Sequence, residues 1–270
     1  MEQTAIARHV FHVSKKEFIT PHYIRVTLQG DGATDFAACT IGANNKIFIP
    51  PAGSKEVAFP VFDAEKGAWV NPADNEKPIV RTYTHRGIDV ANKEILIDFV
   101  NHGDNGPASS WALHAQEGDA LGVAMKLRKS PLYPAADWYF LIGDATAIPV
   151  LASILESLPP EAKGHCILEV SSPTDIQPQL GHAGFTIQWI FNGHPESGSS
   201  LAEEVLKVSI PSEGAHFAYV ACEYNSVKAL RSYFREKLKW SNQELYAFSY
   251  WKAGVAEDQS AQDRRQEKEK

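Results

Sequence analysis

Residues 81–84 read Arg-Thr-Tyr-Thr and lie in a stretch, residues 80–86, whose alternating side chains predict a β-strand. On a strand alternate side chains share a face, so Arg81 and Tyr83 project together, while Thr84 turns the other way unless the pleat is irregular. A guanidinium pairs with anions through charge-assisted hydrogen bonds, and a tyrosine ring stacks on other rings. In this arrangement the arginine could pair with an anion and the tyrosine could stack on a ring. The alternative is a solvated strand with one packed tyrosine.

A glycine-containing turn that leads into a short helix is the second feature that could bind an anion. Gly103 and Gly106 permit tight backbone curvature. The helix predicted over Pro107–His114 presents the amides of its first turn to an anion, with proline in that turn. Ser109 can donate its hydroxyl as well. His102 taken alone is more typical of a structural loop histidine.

The third candidate lies where a buried strand is followed by a helix. Residues 138–142 are a continuous apolar run, then come Gly143 and a helix predicted to begin near Thr146. Gly143 allows close backbone approach, and the helix N-terminus offers N–H groups and a positive dipole end. Ligands of open α/β sheets bind at this edge. The Gly-x-Gly-x-x-Gly fingerprint is missing, so a turn without a ligand is an equal alternative.

The predicted secondary structure that positions these residues changes near the middle of the chain. The first half predicts short strands separated by loops, which is typical of an antiparallel barrel or sandwich, and Gly87 supplies one turn. In the second half strands alternate with helices, which indicates a mainly parallel sheet with right-handed crossovers. The predicted strands are 22–28, 46–50, 80–86, 94–100, 121–125, 138–142, 165–170, 185–191, 216–221 and 245–251. The later predicted helices are 146–158, 200–207 and one through Leu238, capped by Asn225 or Ser226.

We therefore predict a two-domain fold, with an N-terminal antiparallel β-barrel and a C-terminal α/β domain whose sheet is mainly parallel. The barrel takes residues 1–132, the α/β domain residues 133–254, and a charged, mobile tail residues 255–270. The boundary is placed in the loop over residues 130–136, which is rich in proline and alanine.

Composition excludes several classes of function. The 270 residues carry a net charge of −7, which weakens any case for nonspecific nucleic-acid binding. No apolar run approaches the roughly 18–20 residues that span a bilayer, and the first 13 residues lack the apolar core of a signal peptide. Three cysteines, distant in sequence, indicate neither a disulfide framework nor a metal site, and we expect a cytoplasmic protein.

A family resemblance joins these features. Residues 81–84 resemble the R-x-Y-[ST] signature of the ferredoxin–NADP reductase superfamily, whose barrel binds a flavin. Residues 98–112, D-F-V-N-H-G-D-N-G-P-A-S-S-W-A, resemble a block of the siderophore-interacting proteins, the flavin-dependent ferric-siderophore reductases. Residues 143–149, 218–223 and 250–254 resemble three further blocks of that family in the same order, so the resemblance covers nearly the whole chain.

The resemblance implies FAD as cofactor and assigns residues to three groups. The FAD group consists of Arg81, Thr82, Tyr83, Thr84, Asp98, Val100, His102, Gly106, Pro107, Ala108 and Ser109. The nicotinamide group consists of Gly143, Asp144, Thr146, Cys222 and Glu223. The ferric-siderophore group is a set of cations, Lys46, Arg128 and Lys252, where Lys126 or Lys129 are alternatives to Arg128. Each cation taken alone is more typical of a solvated surface side chain.

Two departures from the family pattern bear on the electron donor. Ala145 replaces an acidic residue, and Cys222 replaces a glycine that normally lets a nicotinamide approach, so the cysteine adds bulk there. Residues 171–173 carry no arginine for a 2′-phosphate, which favours NADH over NADPH, and a ferredoxin is a further possible donor.

The resemblance implies that electrons pass from NAD(P)H through FAD to siderophore-bound Fe(III), and that Fe(II) is released. We expect a monomer without a structural metal. A general NAD(P)H:flavin oxidoreductase is the alternative enzyme, and a siderophore carrier without catalysis is the alternative from another class. A siderophore esterase is disfavoured because no Gly-x-Ser-x-Gly elbow is present.

Overall fold

The structure, a computed structural model, describes residues 5–257. The chain divides into two compact units, the first ending at Ser130 and the second beginning at Pro131. Of the tail predicted over residues 255–270, all but the first three residues lie outside the described part. No helix within residues 5–257 is both long and apolar enough to cross a membrane.

The first unit is built on a curved antiparallel sheet of seven strands, in the order β6-β3-β9-β1-β2-β8-β7, with β4 and β5 as a separate hairpin. Its strands are β1 (Ile6–Thr20), β2 (Tyr23–Gln29), β3 (Asn44–Ile49), β4 (Val61–Asp63), β5 (Ala68–Val70), β6 (Ile79–Thr84), β7 (Gly87–Asp89), β8 (Glu94–Val100) and β9 (Ala120–Lys126). A 3₁₀ turn spans Asp31–Phe36, and the helix α1 spans Pro107–His114. The predicted antiparallel first half and the predicted helix are confirmed.

Strand β1 was not predicted, although it is the longest in the chain. Its first half pairs with β9 and its second half with β2. The register shifts between Val13 and Lys15 and again between Phe18 and Thr20. Each irregularity breaks the two-residue alternation on which a strand prediction rests, and therefore the pattern is hidden.

The turn predicted at Gly87 is wrong by several residues. Strand β6 ends at Thr84, and Gly87 begins β7, which pairs with β8. The chain turns over residues 90–93 instead, where Lys93 has a positive φ of 56°. Without a Cβ, Gly87 packs closely on Leu96, whose Cδ1 would lie 3.0 Å from an added methyl group.

The core of the first unit lies on one face of its sheet. Apolar side chains from alternate positions of the strands meet there, and Phe11, Ile47, Phe99 and Leu121 are completely buried. Tyr83 and Trp111 pack against this core from the side of α1 and β8. The core thereby fixes the strand and the helix that carry the candidate FAD residues.

The second unit contains a sheet of five parallel strands in the order β12-β11-β10-β13-β14. The strands are β10 (Trp138–Asp144), β11 (Gly164–Val170), β12 (Phe185–Phe191), β13 (His216–Glu223) and β14 (Leu245–Trp251). The helices are α2 (Ile148–Ser157), α3 (Leu201–Val205) and α4 (Tyr224–Ser232), and 3₁₀ turns span Ala145–Ala147, Pro173–Asp175 and Pro195–Ser197. The predicted parallel α/β second half is confirmed.

Helix α4 differs from its prediction at both ends. Its N-cap is Glu223, whose carboxylate accepts the Asn225 N–H, rather than Asn225 or Ser226. At the other end the α-helix stops at Ser232, and a π-helical turn, Tyr233–Lys237, continues to the predicted end at Leu238. The apolar spacing predicted one continuous helix because a π-helical turn still places Phe234 in the core.

Candidate functional site

The first candidate site begins with the strand pair β3–β6. Ile47 lies opposite Arg81 and Asn45 opposite Tyr83, so Arg81 and Tyr83 share the face of β6 that looks toward the core. The Arg81 Nη1 donates to the Val80 carbonyl at 2.8 Å. A cation and an aromatic ring thus stand two residues apart on one face, as the alternation predicted.

The ring of Tyr83 is half-buried against the edge of the core. Its centroid lies 4.6 Å from that of Phe99 on β8, and Phe99 in turn lies 5.6 Å from Trp111 on α1. Thr84, on the other face of β6, is 4% exposed. Phe99 therefore packs against the Tyr83 ring on the core side, and the part of the ring that remains exposed is available for stacking.

Ser109 closes the glycine-containing turn before α1. Its Oγ donates to the Gly103 carbonyl at 2.7 Å and accepts the His102 N–H at 3.0 Å. The expectation that Ser109 donates its hydroxyl to a ligand does not hold in this structure, because its one hydrogen is already donated within the turn. Ser109 shapes the turn instead.

The N-terminus of α1 is open to an anion. The N-cap, Gly106, has no side chain to cap the helix, and Pro107 occupies the first turn. The amides of Ala108 and Ser109 follow, where a helix carries its positive partial charge. Gly103 has a φ of 76°, and a methyl group added there would meet nothing within 4 Å. This arrangement fits a diphosphate and thus a flavin nucleotide.

Gly106 is in close contact with the side chain of His102. A methyl group on Gly106 would lie 2.6 Å from Cε1 of His102, so the imidazole packs directly on the glycine backbone. His102 is itself exposed. Its position beside the uncapped helix lets it contact a ligand that binds there.

Asp98 supports the site from within the sheet. Its Oδ1 accepts Arg25 Nε at 2.7 Å, and its Oδ2 accepts Arg25 Nη2 at 2.8 Å and the Tyr23 hydroxyl at 3.2 Å. The side chain of Asp98 is 1% exposed. Its carboxylate is directed at these partners and away from a ligand, whereas Val100 ends β8 half-buried.

Two buried polar side chains near the motif were not predicted as site residues. His85, directly after β6, is completely buried, and Asn45, opposite Tyr83, is 2% exposed. The described residues provide no hydrogen-bond partner for either imidazole nitrogen of His85 or for the amide of Asn45. Burial lowers the pKa of His85 to about 4, so its ring is neutral. No periodicity in the sequence marks either residue as buried.

The candidate siderophore cations of the first unit lie on the outer face of the same sheet. Lys46 lies opposite Thr82 on β6, and its Nζ donates to the Thr82 hydroxyl. Lys126 ends β9, two residues beyond Ala124, which lies opposite Lys46, so Lys126 and Lys46 share a face. Both ammonium-bearing residues are exposed.

Arg128 and Lys129 follow the end of β9 and are exposed. The Arg128 N–H donates to the Lys126 carbonyl at 2.8 Å, which makes a tight bend after the strand. Among the three alternatives, Lys126 is the one that regular strand pairing places beside Lys46.

In the second unit, Asp144 and Thr146 are occupied with each other. The Asp144 Oδ1 accepts the Thr146 N–H at 2.9 Å and the Thr146 hydroxyl at 2.5 Å, which caps the turn before α2. Burial raises the pKa of Asp144, although these hydrogen bonds oppose the shift. The expectation of amides free for a phosphate at Thr146 is therefore corrected, because a buried carboxylate already accepts that N–H.

Gly143 and Cys222 belong to the interior rather than to a ligand surface. A methyl group on Gly143 would lie 2.5 Å from the Ala147 Cβ and 2.9 Å from the Leu151 Cδ1, so the glycine lets α2 pack on β10. Cys222 is 1% exposed within the apolar core, and burial raises the pKa of its thiol. Gly143 and Cys222 therefore have packing roles in this unit, and their assignment to a nicotinamide site stays a prediction.

Glu223 ends β13 beside a cavity of about 330 Å³. Its Oε2 accepts the Asn225 N–H at 2.5 Å and its Oε1 accepts the Ala253 N–H at 3.3 Å. The cavity lies at the carboxyl ends of the strands, where α/β sheets bind ligands. Its lining consists of Pro195, Glu196, Ser197, Gly198, Ser199, Ala202, Glu223, Asn225, Ser226, Ala229 and Ala253.

Glu169, which was not among the predicted site residues, holds one wall of this cavity. Its Oε1 accepts Asn192 Nδ2 at 3.2 Å and its Oε2 accepts the Ser199 hydroxyl at 2.5 Å. Asn192 also donates to the Gly198 carbonyl at 2.8 Å. Burial, and then the charge of Asp144, raises the pKa of Glu169. Glu169 therefore shapes the loop over residues 192–199.

Lys252 follows β14 in the second unit. Its Nζ lies 4.6 Å from the centroid of the Tyr224 ring, which is a cation–π contact. No group of three or more His, Cys, Asp or Glu side chains within residues 5–257 is placed to hold a metal ion.

Comparison with known proteins identifies the family. A family model described as "Siderophore-interacting FAD-binding domain" matches residues 12–125, and one described as "Siderophore-interacting protein" matches residues 136–254. The chain is 32% identical over 252 residues to the ferric vibriobactin reductase ViuB of Vibrio cholerae, an alignment that covers 93% of this chain and 91% of that protein.

Solved structures agree in fold. The siderophore-interacting protein SipS from Aeromonas hydrophila superposes with a TM-score of 0.83 at 28% identity, covering 97% of this chain and 98% of that chain. A ferredoxin NADP+ reductase from Neisseria gonorrhoeae superposes with a TM-score of 0.58 at 14% identity, covering 90% and 98% of the two chains, and shares the fold. The resemblance seen in the sequence is confirmed: the chain belongs to the siderophore-interacting protein family.

Proposed function

We propose that this protein is an FAD-dependent ferric-siderophore reductase that uses NAD(P)H as its electron source. The observation that carries the proposal is the flavin seat of the first unit, in which Arg81 and Tyr83 share one face of β6 and α1 begins without a side-chain cap. The names of relatives, ferric vibriobactin reductase and ferric acinetobactin reductase, support the substrate class.

Different residues of the flavin seat contact different parts of the cofactor. The guanidinium of Arg81 and the amides of Ala108 and Ser109 hold the diphosphate, since each is a donor that favours an anion. Tyr83 stacks on the ring system, and Thr84 offers a hydroxyl from the other face. Asp98, Val100 and Pro107 position these groups through the backbone.

Bound FAD supplies the change from a two-electron donor to single-electron steps. One NAD(P)H gives up a hydride, so two ferric ions become two ferrous ions, and NAD(P)+ and one proton are the other products. Oxygen ligands hold Fe(II) less tightly than Fe(III), and therefore the iron is released. The side chains contribute placement and charge rather than a nucleophile.

The charges of the second unit favour NADH over NADPH. Three carboxylates lie at the carboxyl ends of adjacent strands: Glu169 is the second-last residue of β11, Asp144 ends β10 and Glu223 ends β13. Among the described residues that line the cavity beside Glu223 there is no lysine or arginine. An extra 2′-phosphate would be repelled there. A reductase that responds only to reduced ferredoxin is the outcome that would contradict a nicotinamide donor.

The outer face of the first unit supplies cations for an anionic ferric chelate. Lys46 and Lys126 share that face, and Arg128 and Lys129 follow it in sequence. Positive charge on an acidic protein attracts such a substrate locally. Lys252 of the second unit is a further candidate cation, and its ammonium lies over Tyr224.

The test uses the purified protein loaded with FAD under anaerobic conditions. NADH should bleach the flavin bands, and a ferric siderophore should restore them with two Fe(II) trapped per NADH. A colourless protein that binds siderophore without turnover would favour a carrier, and rapid turnover on free flavin alone would favour a general flavin reductase. Lys46→Ala and Lys126→Ala should weaken chelate binding and leave the FAD content intact.

Two further properties belong to the proposal. We infer a cytoplasmic protein, supported by three cysteines that are free and buried. We also infer a monomer, which sedimentation of the FAD-loaded protein tests directly.

A further inference from the structure

The outer face of the first sheet carries a row of residues that crosses four strands. Thr82 on β6 lies opposite Lys46 on β3, Lys46 opposite Ala124 on β9, and Ala124 opposite Arg8 on β1. Because paired residues project to the same side of a sheet, Lys46 and Arg8 stand on one face with Ala124 between them. Two strand spacings separate them by about 10 Å. Arg8 was not among the predicted site residues.

The segment between β3 and β6 packs on this same face. A methyl group on Gly122, in the row next to Ala124, would lie 2.7 Å from Val57 and 2.8 Å from the Phe59 ring. Phe59 also meets Phe48 on β3 edge to face, with centroids 4.9 Å apart. The missing side chain at Gly122 therefore lets the segment lie directly on the sheet.

The hairpin of β4 and β5 extends this contact to Arg8. The Arg8 guanidinium carbon lies 4.5 Å from the centroid of the Trp69 ring. Phe62 lies opposite Trp69 in the hairpin, and their rings meet at a centroid distance of 5.5 Å. Arg8, Trp69 and Phe62 thus form one continuous cluster, which we call the aryl platform.

The aryl platform is open to solvent despite its apolar character. Phe62 is 51% exposed and Trp69 54% exposed, and their rings are in contact. Val61 and Val70, which pair on the other face of the hairpin, are 67% and 43% exposed. A two-stranded hairpin is marginally stable alone, and contiguous exposed apolar surface marks interaction sites. The cations at its border indicate that the occupant is anionic as well as aromatic.

We propose that the aryl platform binds an aromatic arm of an anionic, aryl-bearing ferric chelate of the catecholate class. An aryl ring of the chelate lies against Trp69 and Phe62, while Arg8 and Lys46 face its oxygen anions from either side of Ala124. Stacking on Trp69 holds the Arg8 guanidinium in place for the charge contact. The inference rests on the proposed function and makes Arg8 and Trp69 specificity-determining residues for its substrate.

The test compares three ferric complexes that differ in net charge and in whether they carry aromatic rings, so that the contributions of the two properties to binding can be separated. A hexadentate tris-catecholate is anionic and aromatic, ferric trioxalate is equally trianionic without a ring, and ferric tris-acetohydroxamate is neutral without a ring. Binding to FAD-loaded protein is measured by flavin and tryptophan fluorescence. Trp69→Ala should weaken tris-catecholate binding about tenfold and leave binding of the neutral complex unchanged. Trioxalate binding should weaken less, because that complex loses only the support that Trp69 gives to the Arg8 guanidinium. Arg8→Gln should weaken both anionic complexes and spare the neutral one.

Matched controls come from the second unit. Phe191→Ala removes an aromatic side chain that is 48% exposed, and Lys228→Gln removes an exposed cation on α4, and neither should change binding of any complex. Unchanged FAD content and melting temperature show that the variants fold. Equal binding of the tris-catecholate by Trp69→Ala and by the unsubstituted protein would overturn the inference while leaving the proposed function standing.

Other occupants of the aryl platform give different results. A dimer that dissociates on Trp69→Ala substitution, or Trp69-dependent sedimentation with phosphatidylglycerol vesicles, would overturn the inference in favour of a second copy or a lipid surface. Failure of the unsubstituted protein to bind any ferric complex would overturn the proposed function and the inference together.

Discussion

Asp144 accepts the indole N–H of Trp251 at 2.7 Å, and this hydrogen bond ties the end of β10 to the end of β14 across the intervening strand β13. The Asp144 carboxylate also caps the turn that leads into α2. One buried acidic side chain therefore joins three elements at the edge of the sheet where the candidate nicotinamide residues lie.

Trp251→Phe should destabilise the second unit, by about 2 kcal/mol near neutral pH, because a charged group loses a hydrogen bond inside the protein. Burial already raises the pKa of Asp144, and loss of the Trp251 donor should raise it further. A further raised folded-state pKa makes the variant lose more stability than the unsubstituted protein as pH rises through it, so the stability deficit of Trp251→Phe should shrink as pH falls through the raised pKa of Asp144. Urea unfolding at several pH values measures this.

Asp144→Asn provides the control for that experiment. An amide cannot ionise, so Trp251→Phe made in the Asp144→Asn background should cost the same free energy at every pH. A deficit in the single variant that is independent of pH would show that only ring packing was lost.

Gly143→Ala tests whether this glycine serves packing rather than ligand approach. The added methyl group would meet Ala147, Leu151 and the Ala221 carbonyl, and so we expect a loss of about 1–3 kcal/mol in the free energy of unfolding without any ligand. Gly181→Ala is the matched control, because nothing lies within 4 Å of its added methyl group. Gly143→Ala with unchanged stability and weakened nucleotide binding would restore the original interpretation.

The fold was predictable from the sequence in those strands and helices whose pattern of apolar residues is uninterrupted from end to end. The apolar run of β10 and the alternation of β8 placed those strands, because burial on both faces or on one face dictates each pattern. β1 was missed because its irregularities interrupt the alternation, and the hairpin of β4 and β5 because its apolar side chains are exposed. The aryl platform could be recognised only from the cross-strand register, which places Arg8 on the same face as Lys46 with Ala124 between them.

Residue roles in the site were harder to predict than residue identities. The motif selected Ser109, Asp144 and Glu223 by type, but each one bonds its own backbone neighbourhood. Polar side chains next to a turn or helix start satisfy local backbone groups first, and a one-dimensional pattern does not distinguish that use from ligand binding.

Ser109→Ala should weaken FAD binding about tenfold, since the turn before α1 loses one hydrogen bond donated to Gly103 and one accepted from His102. The affinity is measured by titrating apoprotein with FAD and following flavin fluorescence. Ser157→Ala, which removes a hydroxyl at the end of α2 in the second unit, is the control and should bind FAD normally. An unaltered FAD affinity in Ser109→Ala would show that the turn keeps its shape without the hydroxyl.

His85→Leu should change how stability depends on pH. Burial without a hydrogen-bond partner lowers the pKa of His85 to about 4 in the folded protein, against about 6.5 when unfolded. The unfolded state therefore binds more protons between these values, so the protein loses stability as pH falls, by about 2 kcal/mol at pH 5. Leucine cannot bind a proton, so His85→Leu removes this loss of stability at low pH. The variant should therefore gain stability relative to the unsubstituted protein on going from about pH 7.5 to pH 5. Chemical denaturation of both proteins at the two pH values measures the difference, and parallel pH dependence in the two would mean that His85 finds a proton-sharing partner when folded.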